Sequence, residues 1–180
     1  MRYAQIRELD ISNGEGVGVA LFVQGCRFAC KNCFNPDTWD FNGGKEWTPE
    51  TEDKLIELAS RPYIKRLSIL GGEPLADENL DGVLHLVNRF RLSFPNKSIW
   101  IYSGYQWENI MKYEYSAKYI NNFNIDALRQ CIVSKCDVLV DGRYIDSQRD
   151  ITLKWRGSKN QRVLDIQQSL KRNEVILYCE

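Results

Sequence analysis

Short apolar runs alternate with amphipathic stretches along most of the chain. The run Val19–Gln24 is nearly continuously apolar, which is typical of a strand buried on both faces. Gly25 ends this run, and a loop that extends through Gly43 and Gly44 follows it. In all, four strands are predicted, at Val19–Gln24, Leu67–Leu70, Ser98–Tyr102 and Asp137–Asp141.

Two amphipathic helices are predicted between these strands. The first begins at Thr48 and Pro49, because Thr is a favoured N-cap residue and Pro is favoured in the first turn. The second begins near Asp77. Their apolar stripes, at helical spacing, consist of Leu55, Ile56, Leu58 and Ala59, and of Leu80, Val83, Leu84, Val87 and Phe90. Residues 106–130 are predicted to be helical with a loop around Asn121 and Asn122.

The periodicity weakens after the fourth strand. Arg143–Arg162 is predicted to be an extended basic loop, and Glu174–Tyr178 is predicted to be one further strand. Strands that alternate with helices indicate βαβ units, so the chain is predicted to be a single α/β domain over residues 1–180 with a mainly parallel sheet.

The loops that follow the four strands carry the chemically interesting residues. In parallel α/β sheets, ligands bind at the carboxyl ends of the strands. We therefore expect these loops to converge on one face, where the chemistry should lie. They contain Cys26–Cys33, Gly71–Pro74, Ser103–Tyr105 and Asp141-Gly142.

Composition excludes several classes of protein. The 180 residues include 24 Lys and Arg and 24 Asp and Glu, so the formal net charge is zero. A dedicated nucleic-acid-binding domain normally has a strong basic excess, so nucleic acid is not an expected partner. The apolar runs are far shorter than the ~20 residues of a membrane span, and the first residues lack the apolar stretch of a signal peptide. We expect a cytoplasmic location with no membrane association.

Three of the six cysteines lie close together, at Cys26, Cys30 and Cys33. In a reducing compartment, clustered thiols are more often metal ligands or catalytic groups than disulfides. A C-x3-C-x2-C loop supplies three thiolates and leaves one metal position open. An open position is typical of a reactive centre, whereas structural sites use four protein ligands.

Two other interpretations of these thiols stay open. One or two of them could be buried apolar thiols with the third incidental, or all three could form a structural zinc site that Cys131, Cys136 or His85 completes. His85 is predicted on the polar face of the second helix, which favours a solvated surface residue. Cys131 and Cys136 flank the entrance to the fourth strand, where core thiols are common. Cys179 is predicted to be exposed near the end of the sequence.

The turn Gly71-Gly72-Glu73-Pro74 comes one strand after the cysteine loop at residues 25–44. This pair of motifs, in this order, resembles the radical S-adenosylmethionine (SAM) enzymes. Further segments, in chain order, make the chain similar to the activating enzymes of anaerobic (class III) ribonucleoside-triphosphate reductase. They are Asn13-Gly14, Leu21–Cys26, Cys33–Trp39, Ile99–Tyr105, Asp137–Gly142 and Trp155–Gln161. Trp155–Ser158 best separates this family from the pyruvate formate-lyase activating enzyme. Its role stays open between nucleotide contact, partner contact and loop packing.

The resemblance implies which residues bind which cofactor. Cys26, Cys30 and Cys33 would hold a [4Fe-4S] cluster, and the amino-acid end of SAM would chelate its fourth iron. Asn32, Cys33 and Phe34 would line the adenine side, with Asn32 acting through its backbone. The other SAM contacts would be Gly71, Gly72 and Glu73 at the methionyl amine, and Ser103 and Asp141 at later strand ends.

The resemblance also implies a fold, an activity and partners. The fold would be a partial (β/α) barrel whose open edge docks the reductase. Reductive cleavage of SAM would give a 5′-deoxyadenosyl radical, which takes a hydrogen atom from a glycine of the reductase. The electron donor would be a flavodoxin or a ferredoxin. The alternatives are an activase of another glycyl-radical enzyme, such as pyruvate formate-lyase, and a non-enzymatic zinc or iron–sulfur module that binds a partner or RNA. The module would bind through the basic residues between Lys154 and Arg172.

Overall fold

Seven strands form one sheet in the part of the chain that the structure describes. The structure is a computed structural model, and it describes residues 1–112 and 124–179. The strand order across the sheet is β3-β1-β2-β4-β5-β6-β7. The strands are β1 (Arg2–Asp10), β2 (Gly18–Val23), β3 (Lys45–Glu46), β4 (Arg66–Gly71), β5 (Ser98–Ser103), β6 (Val138–Asp141) and β7 (Arg162–Asp165).

The four central strands are parallel, as the alternation with helices predicts. β2 pairs with β4, β4 with β5, and β5 with β6. Each of the four predicted apolar runs forms one of these strands, so all four strand predictions are confirmed. Every residue of β2 is buried, as expected of a strand that is covered on both faces.

Both helices predicted between the strands are confirmed, whereas the helix that follows the last strand was not predicted. They are α1 (Pro49–Ser60), α2 (Leu80–Ser93), α3 (Trp107–Ile110), α4 (Ile125–Ser134) and α5 (Ile166–Arg172). Thr48 is the N-cap of α1, and its hydroxyl accepts the main-chain N–H of Thr51 at 3.3 Å. The loop predicted around Asn121 lies outside the described residues. In residues 1–112 and 124–179, we find no helix with the length and apolar character of a membrane span.

The two faces of the sheet pack differently. Val19, Leu21 and Val23 of β2 belong to the main core, together with apolar residues of α1, α2 and α4. Two smaller clusters lie on the opposite face. One contains Phe22, and the other contains Trp100 of β5. This second face borders the cavity described below.

The outer strands depart from the prediction. β1 and β3 pair antiparallel at one edge and β7 pairs antiparallel with β6 at the other, so the sheet is mixed and only its centre is parallel. The sheet is open, with β3 and β7 at its edges, and the predicted partial barrel is not confirmed. β1 gave no signal because most of its residues are partly or fully exposed and show no regular alternation.

The C-terminal region also differs from the prediction. The predicted loop Arg143–Arg162 ends in β7, which α5 follows directly. The strand predicted at Glu174–Tyr178 is wrong, because this exposed segment forms one isolated bridge, between Leu177 and Leu164. Cys179, predicted to be exposed, is partly buried against the Trp100 cluster.

A buried ion pair attaches the end of β1 to the start of β4. Arg66 and Asp10 have side chains that are 0% and 2% exposed, and Arg66 Nη2 donates to Asp10 Oδ1 at 2.8 Å. Arg66 Nη1 donates to Ser68 Oγ at 2.7 Å. A Cβ on Gly18 would lie 2.4 Å from Arg66 Nη1, so this glycine leaves room for the guanidinium. Burial raises the pKa of Asp10, but hydrogen bonds from Arg66 and Asn13 outweigh burial and bring the pKa below its ordinary value.

Replacing Asp10 by Ala should lower the free energy of unfolding by about 3–5 kcal/mol, because Arg66 is left as a buried charge without its partner. The matched control is Glu8→Ala, which removes an exposed carboxylate that contacts Arg61 and should cost less than about 1 kcal/mol. Urea unfolding at pH 7 measures both values. Equal losses in the two variants would show that the buried pair does not carry this part of the stability.

Candidate functional site

The loops that follow the parallel strands β2, β4, β5 and β6 converge on one cavity, as predicted. Its volume is about 570 Å³. The predicted site residues that line it are Cys26, Cys30, Cys33, Phe34, Gly71, Gly72, Glu73 and Ser103. Asn32 and Asp141 belong to the same loops but lie outside this lining.

Main-chain hydrogen bonds close the cysteine loop upon itself. Gly25 N–H donates to the carbonyl of Thr38 at 2.8 Å, and Cys26 N–H donates to the carbonyl of Trp39 at 3.0 Å. Gly25 has a φ of 97°, a value that favours glycine because a side chain would be strained there. The loop therefore leaves β2 through a sharp turn and returns beside its own start.

Two left-handed residues turn the backbone between the cysteines. Ala29 and Asn32 have φ values of 47° and 56°. Cys33 N–H donates to the carbonyl of Cys30 at 3.1 Å, and Asn35 N–H donates to Cys33 Sγ at 3.4 Å. This local folding places all three thiols, each half-buried, at the same cavity.

The surroundings of two of the thiols, Cys26 and Cys30, disfavour their charged form. Burial raises the pKa of Cys26, and the nearby carboxylate of Glu73 raises it further. Burial also raises the pKa of Cys30, with a further contribution from Cys33. Neighbouring thiolates repel one another unless a cation neutralises them. The donor set therefore fits a metal centre.

Three thiols on one loop match the three protein ligands of a cluster that keeps one iron open. In the described ranges, no three His, Cys, Asp or Glu side chains are grouped closely enough to hold one metal ion. A zinc site needs sulfur ligands that converge on one ion at ~2.3 Å. A [4Fe-4S] cluster is larger and takes its cysteines on separate irons, so each of the three cysteines could bind one iron.

The residues that would complete a zinc site lie elsewhere. Cys136 is buried in the main core, where its thiol donates to the carbonyl of Ile132 at 3.3 Å. Cys131 lies on α4. The ring of His85 contacts Glu52 of α1, and its side chain is 72% exposed, as predicted. Cys131, Cys136 and His85 do not line the cavity, so the structure does not support the zinc alternative.

The glycines after β4 allow the turn to pack against the end of β2. A Cβ on Gly72 would lie 2.5 Å from the carbonyl oxygen of Gly25, and one on Gly71 would lie 2.8 Å from Phe22 Cα. Glu73 N–H donates to the carbonyl of Gly25 at 2.8 Å. From the sequence, these glycines were expected to let a ligand approach the backbone. In the structure, their nearest neighbours are mostly main-chain atoms at the end of β2 and of Gly25.

Glu73 lies buried at the centre of this turn. Its carboxylate accepts the hydroxyl of Ser103 at 2.8 Å and the main-chain N–H groups of Gly104 and Leu75 at 2.8 and 2.9 Å. Burial raises the pKa of Glu73 to about 7, although these hydrogen bonds favour the charged form. The carboxylate thus connects the end of β4 to the end of β5, and the Ser103 hydroxyl is engaged in that connection.

Asp141 and Asn32 use their side chains within the protein. Asp141 is buried and forms an ion pair with Arg162 of β7, which raises the pKa of the arginine. It also accepts the main-chain N–H of Trp107 at 2.9 Å. Asn32 Nδ2 donates to Asp146 Oδ2 at 2.9 Å. Neither partner could be predicted, because both lie far away along the chain.

The C-terminal region supplies a wall of the cavity that the sequence left without a role. Trp155 packs edge-on against Trp100, with ring centroids 4.9 Å apart. In the sequence, only the motif Trp155–Ser158 indicated that this region contributes to the site. The lining residues not assigned from the sequence include Tyr102, Arg143, Tyr144, Trp155, Arg156 and Gly157.

Comparisons with known proteins agree with this site. Residues 12–164 match the family described as "4Fe-4S single cluster domain". The anaerobic ribonucleoside-triphosphate reductase-activating protein of Vibrio cholerae is 39% identical over 163 residues, which cover 89% of this chain and 96% of the relative. The protein of the same description from Escherichia coli K12 is 36% identical with the same coverage. That from Enterobacteria phage T4 is 35% identical, covering 91% of this chain and 93% of the relative.

Glu73→Gln should remove a pH dependence of folding in the cluster-free protein. The pKa of Glu73 is about 7 in the folded state against 4.5 ordinarily, so between these values the folded state retains a proton that the unfolded chain has lost. The contribution to stability is complete below pH 4.5 and is lost as the pH rises to about 7, a change of about 3 kcal/mol.

Urea unfolding of both proteins across this pH range measures the effect. The stability of the unsubstituted protein minus that of Glu73→Gln should fall as the pH rises and then level off. A difference that does not change with pH would show that Glu73 ionises in the folded state as it does in the unfolded chain.

Proposed function

Because this chain belongs to the anaerobic ribonucleoside-triphosphate reductase-activating proteins, we propose that it generates a glycyl radical in an anaerobic ribonucleotide reductase. The observation that carries this proposal is the arrangement of three half-buried thiols around one cavity at the carboxyl ends of parallel strands. The cavity volume, about 570 Å³, lies within the ~300–1,000 Å³ of ordinary ligand pockets.

We assign Cys26, Cys30 and Cys33 to a [4Fe-4S] cluster, with one iron left open to SAM. When bound, the cluster and SAM supply an electron and a carbon-centred radical, chemistry that amino-acid side chains do not provide. The protein provides position and shielding. Gly25 turns the loop towards the cavity, and the main-chain N–H of Asn35 donates to the Cys33 sulfur; hydrogen bonds of this kind tune a cluster.

Most of the proposed SAM contacts line the same cavity as the thiols. On the adenine side are Cys33, Phe34 and the main chain of Asn32, whose side chain is engaged with Asp146. Near the methionyl amine is the turn of Gly71, Gly72 and Glu73. An ammonium group bound there would favour the charged form of the Glu73 carboxylate, which is otherwise costly to bury. Ser103 and Asp141 complete the proposed set, Ser103 beside Glu73 and Asp141 at the end of β6.

The proposed protein partners are the reductase and an electron donor. The substrate is a glycine-containing loop of the reductase, and Phe34 and Ile151, which are 58% and 84% exposed, present apolar surface beside the cavity. We propose that the electron donor is a flavodoxin or a ferredoxin. We also propose that residues 1–180 act as one domain in the cytoplasm, with the open sheet serving as a partial barrel for docking.

Electron paramagnetic resonance of the anaerobically reconstituted, reduced protein tests this function. We expect a [4Fe-4S]⁺ signal that changes when SAM is added, and a glycyl radical in the reductase when it is present. A cluster signal that ignores SAM would contradict the proposal. A glycyl radical formed in pyruvate formate-lyase, with none in the reductase, would move the assignment to the alternative activase.

Replacing Cys26, Cys30 or Cys33 singly by Ala should abolish cluster-dependent SAM cleavage, because one iron of the cluster loses its only protein ligand. The matched control is Cys131→Ala, which removes a half-buried thiol outside the cavity and should keep the full cluster content. Iron and sulfide content and methionine release are the measurements. Unchanged cleavage in the three loop variants would show that the ligand set is wrong.

A further inference from the structure

The loop that carries the cluster cysteines is attached to a segment more than a hundred residues away. We propose that the segment 143–158, here called the latch, holds the cysteine loop in place and thereby positions Cys30 and Cys33. This inference rests on the proposed function only in taking these cysteines as cluster ligands. It gives a structural role to the motif Trp155–Ser158, which has no role in the proposed function.

The first attachment is the ring of Phe34, which directly follows Cys33. This ring meets the ring of Tyr144 edge-on, with centroids 5.1 Å apart, and the Arg149 guanidinium lies 5.7 Å from its centroid. A Cβ on Gly157 would lie 2.5 Å from Phe34 Cε2. Gly157 does not have a left-handed φ, so its lack of a side chain serves this contact and not an unusual backbone conformation.

The second attachment is the carboxylate of Asp146. It accepts Asn32 Nδ2 at 2.9 Å through one oxygen and the hydroxyl of Tyr144 at 3.1 Å through the other. Asn32 lies between Cys30 and Cys33 and has a left-handed φ of 56°, a conformation that Asn tolerates better than most residues. The residues on both sides of Cys33 are therefore attached to the latch.

Ser158, which is buried, closes the latch upon itself, and Trp155 fixes the latch to the sheet by packing edge-on against Trp100 of β5, with ring centroids 4.9 Å apart. The Ser158 hydroxyl accepts the main-chain N–H of Ile145 at 3.2 Å and donates to Asn160 Oδ1 at 2.7 Å. Gln161 Oε1 accepts the main-chain N–H groups of Gly157 and Ser158 at 2.9 and 3.2 Å. A latch fixed at this end can restrain the cysteine loop, whereas a freely moving loop could not.

The contact of Phe34 with the latch lies outside the main core of the fold. Phe34 is 58% exposed and is not part of the main core. Displacing its ring therefore costs little of the hydrophobic stabilisation, but it frees the backbone next to Cys33. Loss of the latch should appear in the behaviour of the cysteines and not in the melting temperature.

Gly157→Ala tests the latch in two backgrounds, the natural chain and Phe34→Ala. The readout is the rate at which an iron chelator removes iron from anaerobically reconstituted protein. In the natural background we expect release to become about two- to tenfold faster, the range that corresponds to loss of one aromatic contact. In the Phe34→Ala background, Gly157→Ala should add nothing, because the ring it displaces is already absent. The matched control is Leu92→Ala, which truncates an exposed apolar residue on α2 and should leave the rate unchanged.

The same variants are compared without a cluster by the rate at which a maleimide labels each thiol, read by mass spectrometry. Phe34→Ala and Gly157→Ala should speed the labelling of Cys30 and Cys33 and leave that of Cys131 unchanged. Unchanged labelling and iron release in both variants would overturn the latch, as would an equal effect of Gly157→Ala in both backgrounds. If the natural chain takes up no cluster, the proposed function fails, and the labelling rates still decide the latch.

Discussion

The carboxylate of Glu73 joins the ends of β4 and β5 in a place where a charge is expensive to bury. Three hydrogen bonds, from Ser103, Gly104 and Leu75, offset that cost only in part, since the pKa of Glu73 stays raised. The adjoining glycines let β4 approach β2 without intervening side chains. Three strand ends therefore meet at one point, and the cysteine loop, which leaves β2 there, has its position set by this junction.

The antiparallel edge of the sheet determines what covers the cavity. β6 ends at the carboxyl edge of the parallel strands, and β7 begins at that same edge because it runs in the opposite direction. The connection between them must therefore stay beside the cavity instead of crossing to the other end of the sheet. The ion pair of Asp141 with Arg162 holds the two strand ends together at the base of this connection. A purely parallel continuation would have carried residues 143–161 away from the cysteines.

The central strands of the sheet could be predicted from the sequence, whereas the edge strands could not. The strands at Val19–Gln24 and Asp137–Asp141 could be predicted because a strand that is buried on both faces has a nearly continuous run of apolar residues. β1 is mostly exposed and carries no such demand. Convergence of the loops could be inferred because parallel strands share one carboxyl edge. The partners of Asn32 and Ser103 could not be inferred, because hydrogen bonds between distant loops leave no periodic trace in the sequence.

The electrostatics of the cavity indicate what kind of ligand it accepts. Burial raises the pKa of Cys26 and Cys30, and Glu73 raises that of Cys26 further, so these two thiols favour their protonated form. Ligands that bind as thiolates must release those protons, and a positive centre makes the release favourable. In the proposed function, the ammonium group of SAM would likewise offset the cost of burying the Glu73 carboxylate.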